Sequence, residues 1–558
     1  MTRYFFDPVG GSDANSGLTR LLPKQSLSAA GGLVVAGNQI SFKCGSRAVL
    51  ASGVTGWVLN NKVGPCTIDY YDDDLSPLKP LFDGMTYLAP TTDDGNWTSL
   101  GDGRWTRAFT AEVNRMFVGT SANVLANTIG APFGYVSTAA AVTSETKWHM
   151  LTSSPFTVTM YTGSLTVAPP TYFGGLACVG NNIATVGGIW VSRCSGIHFD
   201  SIRGWGGQRQ GLAFVSELAA GASNCSTTDC EWHAWGRGGN GFVMTNTTSI
   251  TTWVDGCSFI RPYAHAHSSV LEDDGDAGRW SAHNGVAGVG RIKNALTEDP
   301  IVLGGCRHSY IQWQRDGTTT IYEMENITVR ATGTRESYID AIDAEYGHDF
   351  DFNCQGFLIE GIEIRNHVTR SQLGQVGIVR GCFWSSCREA LQPGNLNTEQ
   401  CLWIQNWRSP DYRKVVDILI ENNRFKNPWA AAIAISEDPD DEVSPESTFY
   451  DDSVRISQNV IEDRTHLETR TYSVDQQVSS APHTITEFDL TDNIFITPNL
   501  SPVRREVTSG GNVSYTVNGY SGASGNLRYS TPLEAGLDDN TLLPLPVAPR
   551  SARIGRRR

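Results

Sequence analysis

From position 340 the chain reads Asp340-Ala341-Ile342-Asp343-Ala344-Glu345-Tyr346-Gly347-His348-Asp349-Phe350-Asp351, placing four Asp, one Glu and one His within twelve residues. Side chains on an extended strand alternate between its two faces, so Asp343 and Glu345 share a face, with Asp340 near them across a bend. Carboxylates held close together raise one another's pKa, leaving one protonated as a general acid and the other ionised as a base or nucleophile. Cleavage of a glycosidic bond needs such a pair. Asp340, Asp343, Glu345 and His348 are therefore the candidate catalytic residues, with Tyr346 and Asp349 as candidate substrate contacts. The competing expectation is a solvated acidic turn, or carboxylates that cap strand ends.

A second stretch holds His265-Ala266-His267, then Glu272-Asp273-Asp274-Gly275-Asp276-Ala277-Gly278-Arg279-Trp280 and His283. Glu272, Arg279 and Trp280 are candidates for a substrate-groove loop. Asp274 and Asp276 are candidate ligands for Ca²⁺, a hard ion that takes oxygen donors, although the full spacing of a calcium loop is missing. His265 and His267 would share one strand face. The histidines admit a zinc reading as well, though His pairs at ligand spacing are common by chance. The acid-pair chemistry itself requires no cofactor.

These residues need a frame, and the sequence offers one in a recurring pattern: an apolar alternation, two small or polar turn residues, a small inward residue, then another alternation. The inward residues form a column of Ile202, Cys230, Cys257, Ile327, Ile362, Cys382, Asn423, Asn459 and Asn493, with steps of 28, 27, 70, 35, 20, 41, 36 and 34 residues. Steps of this size suit the coils of a solenoid, in which each coil packs only on its neighbours, and the 70-residue step has room for more than one coil. Like residues stack along such a column, Cys on Cys and Asn on Asn. The expected fold is all-β, a right-handed parallel β-helix over 179–498. Residues 1–50 form an N-terminal strand and capping segment. Residues 51–178 form the first coils with an inserted β-rich lobe, and 499–558 a short β region and an extended tail. The twelve cysteines include no CxxC pair, so buried reduced thiols are expected rather than zinc ligands or disulfides.

The N-terminal segment carries a more specific signal. Gly11-Ser12-Asp13-Ala14-Asn15-Ser16-Gly17 is followed by Gly37-Asn38-Gln39-Ile40-Ser41-Phe42-Lys43-Cys44-Gly45. This resembles the opening of pectate-lyase-like β-helix proteins, secreted or phage-borne. There a G-S-D-x-N-x-G turn, a capping helix and a G-D-x-I-x-F-x-x-G strand follow one another. Asn38 stands where that family usually has Asp. The resemblance implies a polysaccharide depolymerase of the phage tailspike kind and a homotrimer, with other phage tail proteins as further partners. Arg291-Ile292-Lys293 matches the R-I-K of polygalacturonases, but no G-H-G occurs and the match is read as chance.

Composition bounds the function. A formal net charge of −15 excludes the basic footprint of a nucleic-acid binder. No stretch reaches the roughly 18 apolar residues of a membrane span. No secretory leader is read at the first residues, so the expected setting is a virion tail or another extracellular place reached without one. The function expected is binding and cleavage of a bacterial surface polysaccharide, a capsule, O-chain or exopolysaccharide, with hydrolysis favoured. The alternatives are a non-catalytic carbohydrate-binding spike or adhesin, and a lyase acting by β-elimination.

Overall fold

The computed structural model describes residues 1–50, 56–72, 74, 76–88, 96–109, 112–129, 133–135, 138–151, 156–173, 176–181, 188–207, 210–217, 220–235, 239–246, 252–267, 284–304, 308–313, 324–340, 350–366, 371–386, 401–406, 417–428, 432–437, 453–462, 474–478, 487–497, 503–509, 512–515 and 525–545. Over these residues the chain winds as a right-handed parallel β-helix. Each coil contributes strands to three ladders. Two of them run together as a 26-stranded sheet, and the third is a separate 13-stranded sheet, called here the third face. The stacking starts earlier and runs later than 179–498. Strand Thr2–Phe6 already pairs in parallel with Asn38–Lys43, and Leu527–Tyr529 pairs in parallel with Ile494–Ile496.

The Gly11–Gly17 segment closes the upper end through its turn chemistry. Asp13 Oδ1 accepts from the backbone N–H groups of Gln25 and Ser26 at 3.0 and 2.8 Å. Ser26 in turn caps the helix Leu27–Leu33, its Oγ accepting from Ala29 N. A side chain at position 11 would meet backbone oxygens of Lys24 and Asp7 at 2.3 and 2.6 Å, so only glycine fits there. The helix buries Ala30, and Val34 follows it into the same core, so that apolar core is not left open to water.

The turn between the second ladder and the third face is the repeated device. Its first residue has positive φ at Ser201, Asp229, Arg261, Asp299, Gly361, Gly381, Asn422, Gln458, Asp492 and Gly525. The next residue points inward, which gives the column Ile202, Cys230, Pro262, Pro300, Ile362, Cys382, Asn423, Asn459, Asn493 and Asn526, and Ser337 takes the same place after a longer turn without a positive φ at Glu336. Cys257 and Ile327, assigned to this column from sequence, belong to another one. With Cys194, Cys225 and Ala295 they follow a second positive-φ turn, between the first and second ladders. Both turns place a small inward residue after a left-handed one, so the local pattern is the same and only the three-dimensional winding separates them.

The expected Asn stack is present, whereas cysteines stack at Cys194, Cys225 and Cys257 of the other turn and not as Cys230 on Cys257. Asn423, Asn459 and Asn493 form a ladder that continues to Asn526. Each Oδ1 accepts the N–H of the residue one coil earlier, and each Nδ2 donates to a strand-end carbonyl at 2.8–2.9 Å. Nine cysteines are buried, and Cys230, Cys257 and Cys382 among them are free thiols. Burial pushes the Cys230 and Cys382 thiols up to about 12.

The lobe leaves the first coil after the third-face strand Leu81–Gly84. It has its own five-stranded sheet and a core of Trp97, Trp105, Trp148, Met150, Val158 and Met160. It returns to lie against the top of the third face, where Phe117 and Val124 pack with Trp205 and Ala234.

Candidate functional site

On the third face, strands three residues long present their first and third side chains outward. Parallel register turns these into two outward columns. One reads Arg203, Glu231, Tyr263, Ile301, Tyr338, Glu363, Phe383, Arg424. The other reads Trp205, His233, His265, Leu303, Asp340, Arg365. The middle residue of each strand is core: Trp232, Ala264, Val302, Ile339, Ile364 and Trp384 are all buried. Gly204 is forced at the top, since a Cβ there would meet the Trp232 indole at 2.4 Å.

The face is bounded at both ends. Above, the lobe covers Arg203 and Trp205, and the Arg203 guanidinium donates to Leu125 O at 2.5 Å. Below, the C-terminal segment packs Leu537 and Leu542 with Val460, Ile494 and Ile496, and Arg424 donates to Thr541 O at 2.6 Å. Among the described residues, the strands from Tyr263–His265 to Phe383–Trp384 lie between these covers. Four spacings of about 4.8 Å make that stretch about 19 Å long.

Its chemistry is carboxylate, guanidinium and aromatic. The Arg365 guanidinium lies over the Tyr338 ring at 3.8 Å and donates to Glu336 and Glu363 at 2.6 and 2.8 Å. Burial pushes the Glu363 carboxyl up, but hydrogen bonds from Arg365 and Ser385 outweigh it and hold the group below its ordinary range. Asp340 Oδ1 accepts from Asn366 Nδ2 at 2.8 Å. Higher on the face Glu231 is ion-paired with Lys79. Its burial is outweighed by His233 and Lys79, which hold the carboxyl down at about 2. Burial in turn lowers the pKa of His233, favouring the neutral imidazole.

Of the sequence candidates, Asp340 is placed on this face, at the end of strand Tyr338–Asp340. Asp343, Glu345, Tyr346, His348 and Asp349 lie outside the described residues, as do Glu272, Asp274, Asp276, Arg279, Trp280 and His283. The strand through His265 ends there instead of continuing to His267, which turns with φ 50. The two imidazoles nevertheless stack, with ring centroids 3.5 Å apart. Sequence reasoning missed Glu231, His233, Tyr263, Tyr338, Glu363 and Arg365. The signal was available: they stand one and three places after the inward column, the two outward positions of a three-residue strand.

No protein-family model matches the chain, and no curated protein matches its sequence. Among solved structures, a xylose complex of XylC is similar at a TM-score of 0.41 and 10% identity, over 92% of this chain and 88% of that one. A mannuronic acid specific polysaccharide family 6 lyase from human gut microbiota is similar at 0.35 and 10%, over 90% and 87%. The tailspike gp61 of Pseudomonas phage phi297 is similar at 0.32 and 11%, over 84% and 72%. Similarity this distant carries no argument about activity.

Proposed function

We propose that the chain binds a polysaccharide along the uncovered stretch of the third face and cleaves it there. The observation that carries this reading is the stretch itself, an elongated surface closed by the lobe above and the C-terminal segment below. It presents Tyr263, Tyr338 and Phe383 beside Asp340, Glu363 and Arg365. Aromatic rings offer apolar faces to sugar rings, and carboxylates and guanidinium groups hydrogen-bond hydroxyls and acidic substituents. A surface about 19 Å long suits a chain of sugars better than a single one.

Asp340 is one member of the acid pair in this reading. Its partner is Glu363, one strand away on the diagonal, or Asp343 or Glu345, which follow it in the chain. Strand spacing and rise put the Cα atoms of Asp340 and Glu363 about 8 Å apart. Hydrolysis needs no metal; Ca²⁺ at Asp274 and Asp276 belongs to the same proposal as a loop-ordering ion. The reading extends to a spike of the phage tail kind, acting on a bacterial capsule, O-chain or exopolysaccharide as a homotrimer.

Asp340→Asn is expected to lower reducing-end release from such a polymer 100-fold or more, about 3 kcal/mol in the barrier, with polymer retention on affinity gels unchanged. Full activity in Asp340→Asn would overturn its role. Asp343→Asn, Glu345→Gln and Glu363→Gln then identify the partner. A specific observation favours a second, non-catalytic reading: Glu231 and Glu363 are each held by a cation, as in a surface that only binds. Polymer retention without reducing ends, and without the ultraviolet absorbance of an unsaturated uronate, would establish that one.

A further inference from the structure

Three imidazoles converge where the lobe meets the third face. His233, His265 and His267 each offer a ring nitrogen, and these nitrogens all lie within 4.8 Å of one another. His233 Nδ1 and His267 Nε2 are 3.2 Å apart. Two nitrogens each about 2.05 Å from a tetrahedral zinc ion are separated by about 3.3 Å, so this pair already has the edge length such a site needs.

The surroundings fix His233, whereas His265 and His267 stack on each other with centroids 3.5 Å apart and have to turn apart for both to meet one ion. His233 is 4% exposed and lies flat on the Trp205 indole, with centroids 4.7 Å apart and planes 4° from parallel. His267 meets the edge of Phe117 from the lobe, at 6.1 Å between centroids. The other nitrogen of His233, Nε2, faces Glu231 Oε2 at 3.7 Å. Glu231 is anchored by Lys79, whose Nζ also donates to Asp229 O at 2.7 Å. A carboxylate behind a histidine sets which nitrogen carries the proton and strengthens the other as a donor to metal. Arg203 and Lys79 both lie near His233 and oppose a cation there, and Glu231 is the carboxylate that works against them. His265 and His267 are half-buried, so the group is closed on the His233 side and open on the other.

We propose that His233, His265 and His267 bind a divalent ion of the zinc class, with Glu231 positioning His233 and the fourth coordination place open. Three imidazoles with one open position suit zinc, nickel or copper and not calcium, which takes oxygen donors. The ion would tie the neighbouring third-face strands Glu231–His233 and Tyr263–His265 to each other. The proposal stands whether or not the face takes a sugar.

The test uses the full chain without an affinity tag, stripped with EDTA and titrated with zinc chloride by calorimetry, with bound zinc measured by mass spectrometry of the metal. One zinc per chain and a rise in melting temperature are expected. His265→Gln/His267→Gln, both at half-exposed positions, should abolish both effects while leaving the circular dichroism of the metal-free chain unchanged. Glu231→Gln should weaken uptake 10- to 100-fold. If the double variant does not fold, the wild-type chain still decides: zinc should protect the half-exposed His265 and His267 from diethyl pyrocarbonate. Absence of zinc uptake by the wild type, equal uptake by a folded double variant, or absence of protection would each overturn the proposal.

Discussion

The upper and lower coils solve the same turn with opposite chemistry. In the upper coils the inward column is filled by Ile202, Cys230, Pro262 and Pro300, and the outward face carries Trp205, Glu231, His233, Tyr263 and His265. In the lower coils the inward column is polar, Asn423 to Asn526, and the outward face turns apolar at Val460 and Ile494, where the C-terminal segment packs, and at Leu527, which stays 49% exposed. A buried amide column is tolerable because every amide is satisfied along the stack. An apolar outward face is tolerable because something covers it. Where neither ladder nor cover is present, the outward residues are mostly charged or aromatic, with the apolar Ile301 and Leu303 between them.

The largest expected effect comes from breaking the amide ladder. Asn459 accepts from Asn423 N and Nδ2 and donates to Ile420 O and to Asn493 Oδ1. Asn459→Ala should cost about 3 kcal/mol or more, because several buried partners lose their bonds at once. Urea unfolding would measure it. A loss below about 1 kcal/mol would mean that the ladder contributes little and that the contrast between the two halves is only compositional.

The same contrast explains what was legible in the sequence. The lower coils announced themselves through Asn423, Asn459 and Asn493, because a buried amide leaves few options and its neighbours repeat the choice. The upper coils accept any small inward residue, so Cys257 and Ile327 of one turn looked like Cys230 and Ile362 of the other. Asn526 was passed over because Gly-rich sequence precedes it and the interval after Pro498 carries no alternating run. The acid-rich stretch from Asp340 stood out by composition alone. Glu231, His233 and Arg365 did not, since each is a single polar residue in a three-residue strand. Only the register of neighbouring coils makes a column of them.

A pair of identical substitutions sharpens the comparison. Cys382 N already donates to Asn423 Oδ1, and Cys230 and Cys382 both direct Sγ at a strand-end carbonyl one coil earlier, Phe199 O and Ile359 O. In Cys382→Asn the new Nδ2 would reach Ile359 O and Asn423 Oδ1, extending the ladder by one rung. In Cys230→Asn the rung below is Pro262, which offers no amide. Cys382→Asn should stay within about 1 kcal/mol of wild type, and Cys230→Asn should lose about 2 kcal/mol through an amide only half satisfied. Equal losses in urea titrations would show that the column does not distinguish its rungs.

A third test addresses the upper turn before Pro300. The Asp299 carboxylate accepts from Thr332 N, Thr332 Oγ1 and Thr334 Oγ1 at 2.6, 2.6 and 2.8 Å. Burial pushes this carboxyl up, but those three donors outweigh it and hold it below its ordinary range. A depressed folded-state pKa contributes stability above the unfolded-state value of about 3.9, and that contribution is lost as pH falls through the lower folded value. Asp299→Asn keeps the left-handed turn but turns one acceptor into a donor. It should cost about 1–2 kcal/mol at pH 7, and the gap from wild type should close below about pH 4. A gap independent of pH would assign the loss to the turn and not to the charge.

The smallest effect is expected on the outer surface of the second ladder, where charges pair from coil to coil. Arg330 donates to Glu298 at 2.9 and 2.6 Å, and its side chain is 44% exposed. Arg365 instead meets Glu363 within its own strand at 2.8 Å and Glu336 of the neighbouring coil at 2.6 Å. A partly exposed pair on its own gains little Coulomb energy, is screened by salt and gives up side-chain freedom to hold its shape. Arg330→Met should therefore change stability by about 0.5 kcal/mol or less, and less still in 0.5 M salt, since its stem continues to cover the strand beneath. Arg365→Met should behave differently, because Arg365 also stacks on Tyr338 and its loss frees Glu336 and Glu363 together. If both substitutions cost the same in unfolding and only Arg365→Met reduces polymer retention, the third-face network serves recognition. If Arg365→Met is the costlier in unfolding and retention is unchanged, the network is a structural staple and the recognising residues lie elsewhere on the face.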